Sequence, residues 1–359
     1  MKKILISGYF GFDNFGDEAL LYVTLKDLND LGIPKENITV ISNNTGHTTF
    51  NYGVRTLNRW NISHIVRGIL KNDILIFTGG LFQDKTSFIS FLYYFFQLFL
   101  AGIFQKSILL YGAGIGPFKG NISISLFKFA VSAASAIIVR DEASVDFLPY
   151  KENIFVTCDP VWSIIPSNNF KNKIPNVNWN LPILGISMRI DKHLKMHHIT
   201  NLAEKISKVM NDLKDWQILL IPSMPSEDLH VLYELYDLLM KKVPGTNRII
   251  LLDYFNKLHI SEQAGILARC DVMVGMRYHS LLVPIANGKP VFGIIYDQKV
   301  KSLLDFTSQV GIALKDDLEQ PWSYFWQNLQ HSSAKAKEAA GKAQQLQKRN
   351  LELLSRFIR

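Results

Sequence analysis

ILISGYFGFDNFGDEALLYVTL, residues 4–25, opens the chain with an apolar run, a glycine-rich turn and an apolar segment of helical spacing, in that order. The run Ile4-Leu5-Ile6 is too short for a helix and continuous enough for a strand buried on both faces. Gly8, Gly11 and Gly16 free the backbone to turn, and Asp17 and Glu18 suit the positive N-terminus of the helix that follows. This strand–turn–helix order then recurs along the chain. Strands are predicted at Lys3–Ser7, Ile38–Ser42, Ile74–Thr78, Ser107–Tyr111, Ala136–Val139 and Asn153–Thr157. A second series falls at Ile183–Met188, Gln217–Ile221, Arg248–Leu252, Val272–Val274 and Val291–Ile295. Strands alternating with helices imply right-handed crossovers and parallel sheets. The fold class is therefore α/β, as two doubly wound Rossmann-like domains expected to face a central cleft.

Residues 167–182 break both periods and are rich in Asn, Lys and Pro, which marks an interdomain linker between domains at 1–166 and 183–330. Residues 331–359 form a basic amphipathic helix, with Leu346, Leu351, Leu354, Phe357 and Ile358 as its apolar stripe. That tail carries seven Lys/Arg against Glu338 and Glu352, five of the net eight positive charges of the 359-residue chain. Anionic lipid is a candidate partner for it, beside the plainer reading of a solvated helix face; nucleic acid is not expected. At 48% apolar and 19% charged residues the composition is that of a globular protein and excludes a disordered one. Cys158 and Cys270 build neither a disulfide framework nor a zinc site, and the apolar run before Gly8 is too short for a signal peptide, so a cytoplasmic setting is expected. Phe88–Phe104 runs 17 residues without a charge. It reads as a crossover helix buried on a sheet, with peripheral contact at the inner membrane face as the alternative.

In open α/β sheets ligands bind beyond the carboxyl ends of the strands, and the chemistry-bearing residues fall there. Gly11, Asn14, Asp17 and Glu18 follow the first strand, Gln83 and Asp84 the third, the GAGIGP turn (112–117) the fourth, and Arg140 the fifth. In the second series Arg189 follows the first strand, and Arg277 and His279 follow Val272–Val274. Arg189 and Arg277 are placed to bracket a dianion, since guanidinium forks match phosphate and carboxylate oxygens. His279 titrates near neutrality and suits a general acid or base. His193, His197 and His198 cluster after Arg189 but lack a carboxylate or Cys complement for a metal.

GYFGFDNFGDEALL (8–21), GGLFQD (79–84), GAGIGP, VRDE (139–142), GMRYHS (275–280) and PVFGIIYDQKV (290–300) together resemble the polysaccharide pyruvyl transferase family, in its bacterial secondary cell-wall polymer type. The likeness runs from about residue 3 to 315. It implies a GT-B-like fold and transfer of the enolpyruvyl group of phosphoenolpyruvate to two hydroxyls of a sugar, on a lipid-linked precursor, as a pyruvate ketal. By that resemblance Arg140 and Arg277 are donor-binding arginines, His279 is the essential histidine, and Lys299 is a further anion contact. Asp13, Asp17 or Glu18 would be the base on the acceptor. Phosphoenolpyruvate is a substrate, and the scheme calls for no cofactor and no metal. The competing expectation is a GT-B glycosyltransferase with a nucleotide-sugar donor.

Overall fold

The computed structural model describes residues 2–85, 87–150, 152–243 and 246–358; Arg359, counted above with the basic tail, lies outside them. The chain forms two compact units. The first comprises residues 1–12, 17–163 and 343–359, and the second residues 13–16 and 164–342.

The first unit is built on a seven-stranded parallel sheet of β1 (Ile4–Ser7), β2 (Ile38–Ser42), β3 (Arg55–Asn58), β4 (Ile74–Phe77), β5 (Ser107–Ala113), β6 (Ala136–Val139) and β7 (Ile154–Val156). Their order is β3-β2-β1-β4-β5-β6-β7, so the direction of winding reverses between β1 and β4. The connecting helices are α1 (Phe15–Asp30), α2 (Thr45–Tyr52), α3 (Ile62–Lys71), α4 (Phe88–Ile103) and α5 (Asn121–Val131). One sheet face is covered by Ile65 and Ile69 of α3, Phe91, Tyr94 and Leu98 of α4, and Phe127 of α5. The other is covered by Leu21, Leu25 and Leu28 of α1 and by the end of the C-terminal helix.

The second unit carries a six-stranded parallel sheet of β8 (Ile183–Ser187), β9 (Gln217–Leu220), β10 (Ile249–Leu251), β11 (Val272–Gly275), β12 (Val291–Ile295) and β13 (Val310–Ala313). The order is β10-β9-β8-β11-β12-β13, with the reversal between β8 and β11. Its helices are α6 (Met196–Asp212), α7 (Pro225–Lys242), α8 (Ile260–Arg269), α9 (Tyr278–Ala286), α10 (Gln298–Thr307) and α11 (Glu319–Gln327); α12 (Leu329–Ile358) follows.

The two strands absent from the sequence reading, β3 and β13, are sheet edges. Arg55-Thr56-Leu57-Asn58 is exposed at both ends and half-buried between, so it lacks the continuous apolar run by which the inner strands are legible. The segment 167–182 is not a free linker. Phe170 and Ile174 are fully buried, Ser167 N–H donates to Ser261 O at 2.8 Å, and the chain leaves the first unit earlier, at Ser163. The expected stripe of α12 holds only at its end, where Leu354 and Ile358 are buried and Phe357 packs against the core. Leu346 and Leu351 are half-buried, while Ala343, Gln347, Asn350, Leu354 and Ile358 face inward. Gln347 and Asn350 can sit there because each is bonded: Gln347 to Asp27 at 3.3 Å, Asn350 to Cys158 O at 3.0 Å. Phe88–Phe104 forms the crossover helix α4, and no helix among the described residues is long and apolar enough to cross a membrane.

Candidate active site

The reversal of strand order in the second unit sets β8 beside β11, with Ser187 opposite Gly275. Such a reversal opens a crevice at the carboxyl ends of the strands, because the two flanking helices leave in opposite directions. The chain beyond β8 supplies Arg189 and the chain beyond β11 supplies Arg277, the residue that caps α9. Both guanidinium groups converge on one carboxylate oxygen. Glu227 Oε2 accepts from Arg277 Nη2 at 2.8 Å and from Arg189 Nη2 at 3.1 Å. Glu227 and Asp228 lie in the first turn of α7, beyond β9.

Arg277 is also committed to Asp228, through Nε at 3.1 and 3.2 Å and through Nη2. Asp228 is fully buried and accepts in addition from Met224 N–H at 2.9 Å. Burial opposes charge on both partners. It pushes the Asp228 carboxyl up against the pull of Arg277, whereas the guanidinium, despite burial, is held above its ordinary value by Asp228 and Glu227. Arg277 therefore stays charged. Arg189 is held on its other side by the Tyr296 hydroxyl (Nη1, 3.2 Å), with its Cζ 4.9 Å from that ring. Lys299 Nζ lies 5.9 Å from the Tyr296 ring and 3.4 Å from Asp297, which caps α10. Arg277, Arg189 and Lys299 thus share one cluster beyond β8, β11 and β12.

His279 sits in the first turn of α9, its ring edge-on to Tyr278 at 4.9 Å. Gly16 stands against it. A Cβ added at Gly16 would fall against His279 Nδ1 and lie 2.9 Å from Cε1 and from Cγ. Gly16 is held there by its neighbours, which the fold assigns to the same unit. Phe15 N–H donates to Ser223 O at 2.8 Å, the Phe15 ring meets Phe255 at 5.9 Å, Asp13 accepts from Asn256 at 3.2 Å, and Asn14 Oδ1 accepts Gly16 N–H at 3.1 Å. Beneath the site Ser187, Ser223 and Ser280, all buried, hydrogen-bond to one another and tie the ends of β8, β9 and β11 together.

The remaining sequence-predicted residues belong to the first unit. Arg140 Nη1 donates to buried Asp159 at 2.9 Å, and Nε lies 3.7 Å from Asp141. Its guanidinium runs past Gly114, where a Cβ would stand 2.8 Å from Nη2. Gly11 has φ of 77°, a backbone that L side chains rarely adopt. Its N–H donates to Glu18 Oε1 at 2.7 Å, and Tyr52 donates to Glu18 Oε2 at 3.3 Å, so Glu18 is a brace inside the loop. Asp84 is likewise buried, accepting from Lys119 N–H at 2.5 Å and Ser123 Oγ at 2.6 Å. Gln83 donates to Gly80 O at 3.3 Å. Asp17 lies beside Gly79, 3.5 Å from where a Cβ would be. Both cysteines are buried; burial pushes the Cys270 thiol up to about 12 and Cys158 higher still, so neither is a nucleophile.

Sequence reasoning missed Glu227, Asp228, Tyr296 and the three serines. Both acids stand in the first turn of α7, where a negative charge is locally favourable, and only the sheet order turns them toward the arginines. No group of three His, Cys, Asp or Glu among the described residues is placed to hold a metal ion; His198 Nδ1 accepts the Lys195 N–H at 2.9 Å as α6 begins.

The family model for polysaccharide pyruvyl transferase matches residues 14–298. No curated protein sequence matches the chain. Among solved structures the chain is similar to the UDP-bound MnaA of S. aureus (13% identity, 96% of this chain and 92% of that one, TM-score 0.63). It is similar also to the UDP-GlcNAc 2-epimerase of Neisseria meningitidis bound to UDP-GlcNAc (11%, 99% and 99%, 0.60) and to the glycosyltransferase SnogD of Streptomyces nogalater (11%, 99% and 99%, 0.60). At such identities the likeness is one of fold: two Rossmann-like α/β halves of the GT-B type.

Proposed function

Because the chain belongs to the polysaccharide pyruvyl transferase family, we propose that it moves the enolpyruvyl group of phosphoenolpyruvate onto two hydroxyls of a sugar, as a cyclic ketal. The observation that carries the reading is the convergence of Arg277 and Arg189 on the single oxygen of Glu227, beside Lys299 and ahead of His279. Two guanidinium groups on one carboxylate oxygen, with Lys299 near by against Tyr296, form a site that a carboxylate or phosphate ligand satisfies in place of Glu227.

The chemistry follows from the donor. One acceptor hydroxyl adds to C2 while C3 takes a proton, giving a tetrahedral carbon that bears carboxylate, phosphate, methyl and the new C–O bond. The C–O bond to phosphate then breaks, releasing inorganic phosphate and an oxocarbenium. The second hydroxyl adds to it, loses its proton and closes the ketal. Arg277, Arg189 and Lys299 hold the donor anions and offset charge that grows on the departing phosphate. Arg140, which the family resemblance assigns to the donor, is paired in the first unit with Asp159 and Asp141. His279 gives the proton to C3 or to the phosphate; the base on the acceptor is drawn from Asp13 and Asp17, since Glu18 is committed to Gly11 N–H and Tyr52.

Phosphate release is measured with phosphoenolpyruvate and a disaccharide acceptor, and nucleotide release with UDP- and GDP-sugars. Turnover of a nucleotide sugar in place of phosphoenolpyruvate would overturn the reading in favour of a glycosyltransferase. For His279→Gln, donor binding is retained and kcat falls by about 10²–10⁴-fold; a kcat within a few-fold of wild type removes the proton-transfer role.

A further inference from the structure

Arg59 follows β3, its N–H bonded to Ser42 O at 3.0 Å at the outgoing end of β2. It is only 6% exposed, yet among the described residues no carboxylate lies within ion-pair distance of it, and its Nε has no hydrogen-bond partner. Aromatic rings surround it instead. Its Cζ stands 4.6 Å from the centroid of Tyr93, 4.8 Å from Phe12, 5.4 Å from Trp60, 5.6 Å from Tyr9 and 5.9 Å from Tyr94. Tyr9 and Phe12 are stacked at 4.0 Å. Tyr93 and Tyr94 both titrate above an ordinary phenol, burial outweighing the pull of Arg59 and, at Tyr94, a hydrogen bond with it, so each stays neutral and neither supplies a countercharge. Ring faces attract a guanidinium, but an unpaired buried charge is costly and the missing partner is an anion.

The neighbouring surface says what carries that anion. Tyr93 lies on α4, and Ile89 and Phe96, four residues before it and three after, point to solvent, Ile89 at 80% exposure. Ile62 on α3, Ile103 on α4 and Phe129 on α5 extend this apolar face, and Trp60 beside Arg59 is 69% exposed. Helices α3, α4 and α5 contain no Asp or Glu, and their charges are Arg67, Lys71 and Lys128. A soluble crossover helix normally turns polar residues outward; an apolar face with only positive charge suits an anionic lipid surface.

We propose that Arg59 and its aromatic surround are the subsite for the phosphate group of a lipid-linked acceptor, with the lipid lying along the α3–α4–α5 face. This rests on the pyruvyl-transfer reading for the word acceptor, but its test uses neither donor nor sugar. Farnesyl diphosphate, farnesol and inorganic pyrophosphate are titrated into the full chain, following calorimetry and tryptophan fluorescence. Farnesyl diphosphate should bind at least about 10-fold tighter than either of the others. Arg59→Gln should erase that advantage over farnesol, Arg59→Lys should keep part of it, and Ile89→Ser with Phe96→Ser should erase the advantage over pyrophosphate. Equal binding of farnesyl diphosphate and farnesol, or wild-type affinity in a folded Arg59→Gln, overturns the phosphate subsite. Equal binding of pyrophosphate and farnesyl diphosphate overturns the lipid. If Arg59→Gln does not fold, the ligand series with wild type and Arg59→Lys decides. Intact binding without phosphoenolpyruvate turnover would sink pyruvyl transfer alone, and turnover without this binding would sink the subsite alone.

Discussion

Gly16→Ala tests the site through a residue that carries no chemistry. Gly16 is the second residue of α1, buried, and its Cα faces the His279 imidazole. An added methyl would lie 2.9 Å from Cε1 and Cγ and closer still to Nδ1, whereas ordinary contact begins near 3.4 Å. Ring or loop must therefore give by more than 1 Å at Nδ1. The loop is pinned by Phe15 N–H on Ser223 O and by the Phe15–Phe255 contact, so the ring is expected to move. Alanine gains up to about 1 kcal/mol of helix propensity over glycine, and overpacking costs about 1–3 kcal/mol, so the net change in stability is small. Catalysis has no such compensation. A displacement near 1 Å costs up to about 10²-fold, so kcat is expected to fall by about 10²-fold. Phosphate release at saturating phosphoenolpyruvate measures kcat, calorimetry the donor affinity, and thermal melting the fold. The expected variant melts within a few degrees of wild type, binds donor and turns over slowly. A kcat within two-fold of wild type would refute the placement of His279 at the reacting atoms, and a collapse in melting temperature would refute the claim that the effect is positional.

Two further outcomes concern carboxylates, one half-exposed and one buried. If an anionic donor takes the place of Glu227 between Arg277 and Arg189, Glu227→Gln should tighten phosphoenolpyruvate binding by several-fold in calorimetry; weaker binding would show that Glu227 organises the arginines rather than competing for them. Asp27 is fully buried on α1, where burial raises its carboxyl from an ordinary 3.8 to about 6 against the hydrogen bond from Tyr111. A raised acid favours the folded state while protonated. That contribution is complete below about pH 4 and is lost as pH rises through about 6, a difference of roughly 3 kcal/mol. Asp27→Asn, neutral at every pH and still an acceptor for Tyr111, should therefore be more stable than wild type at pH 8 and equal to it at pH 4. Urea unfolding at both values checks this, and a variant less stable than wild type at pH 8 would contradict it.

The sequence by itself determined the α/β class, the inner strands and the position of each arginine at a strand end. Apolar runs such as Ile137-Ile138 and glycine turns such as that at Gly11 are local signals, fixed by burial on both faces and by backbone sterics. The same local pattern put Arg277, Arg189 and His279 beyond strand ends, where the structure has them, whereas Lys299 entered through the family resemblance. What those residues touch was decided only by the tertiary structure. Neither that Glu227 would lie between two arginines, nor that Glu18 and Asp84 would brace loops, is written in any local pattern, since each contact joins segments set side by side by sheet order. The edge strands β3 and β13 escaped for the same reason: half-exposed residues keep no period. Arg59 shows the limit most plainly. Within its own stretch it is one more polar residue after an edge strand, and only the packing of Tyr9, Phe12, Tyr93 and Tyr94 around it makes it a buried cation in want of an anion.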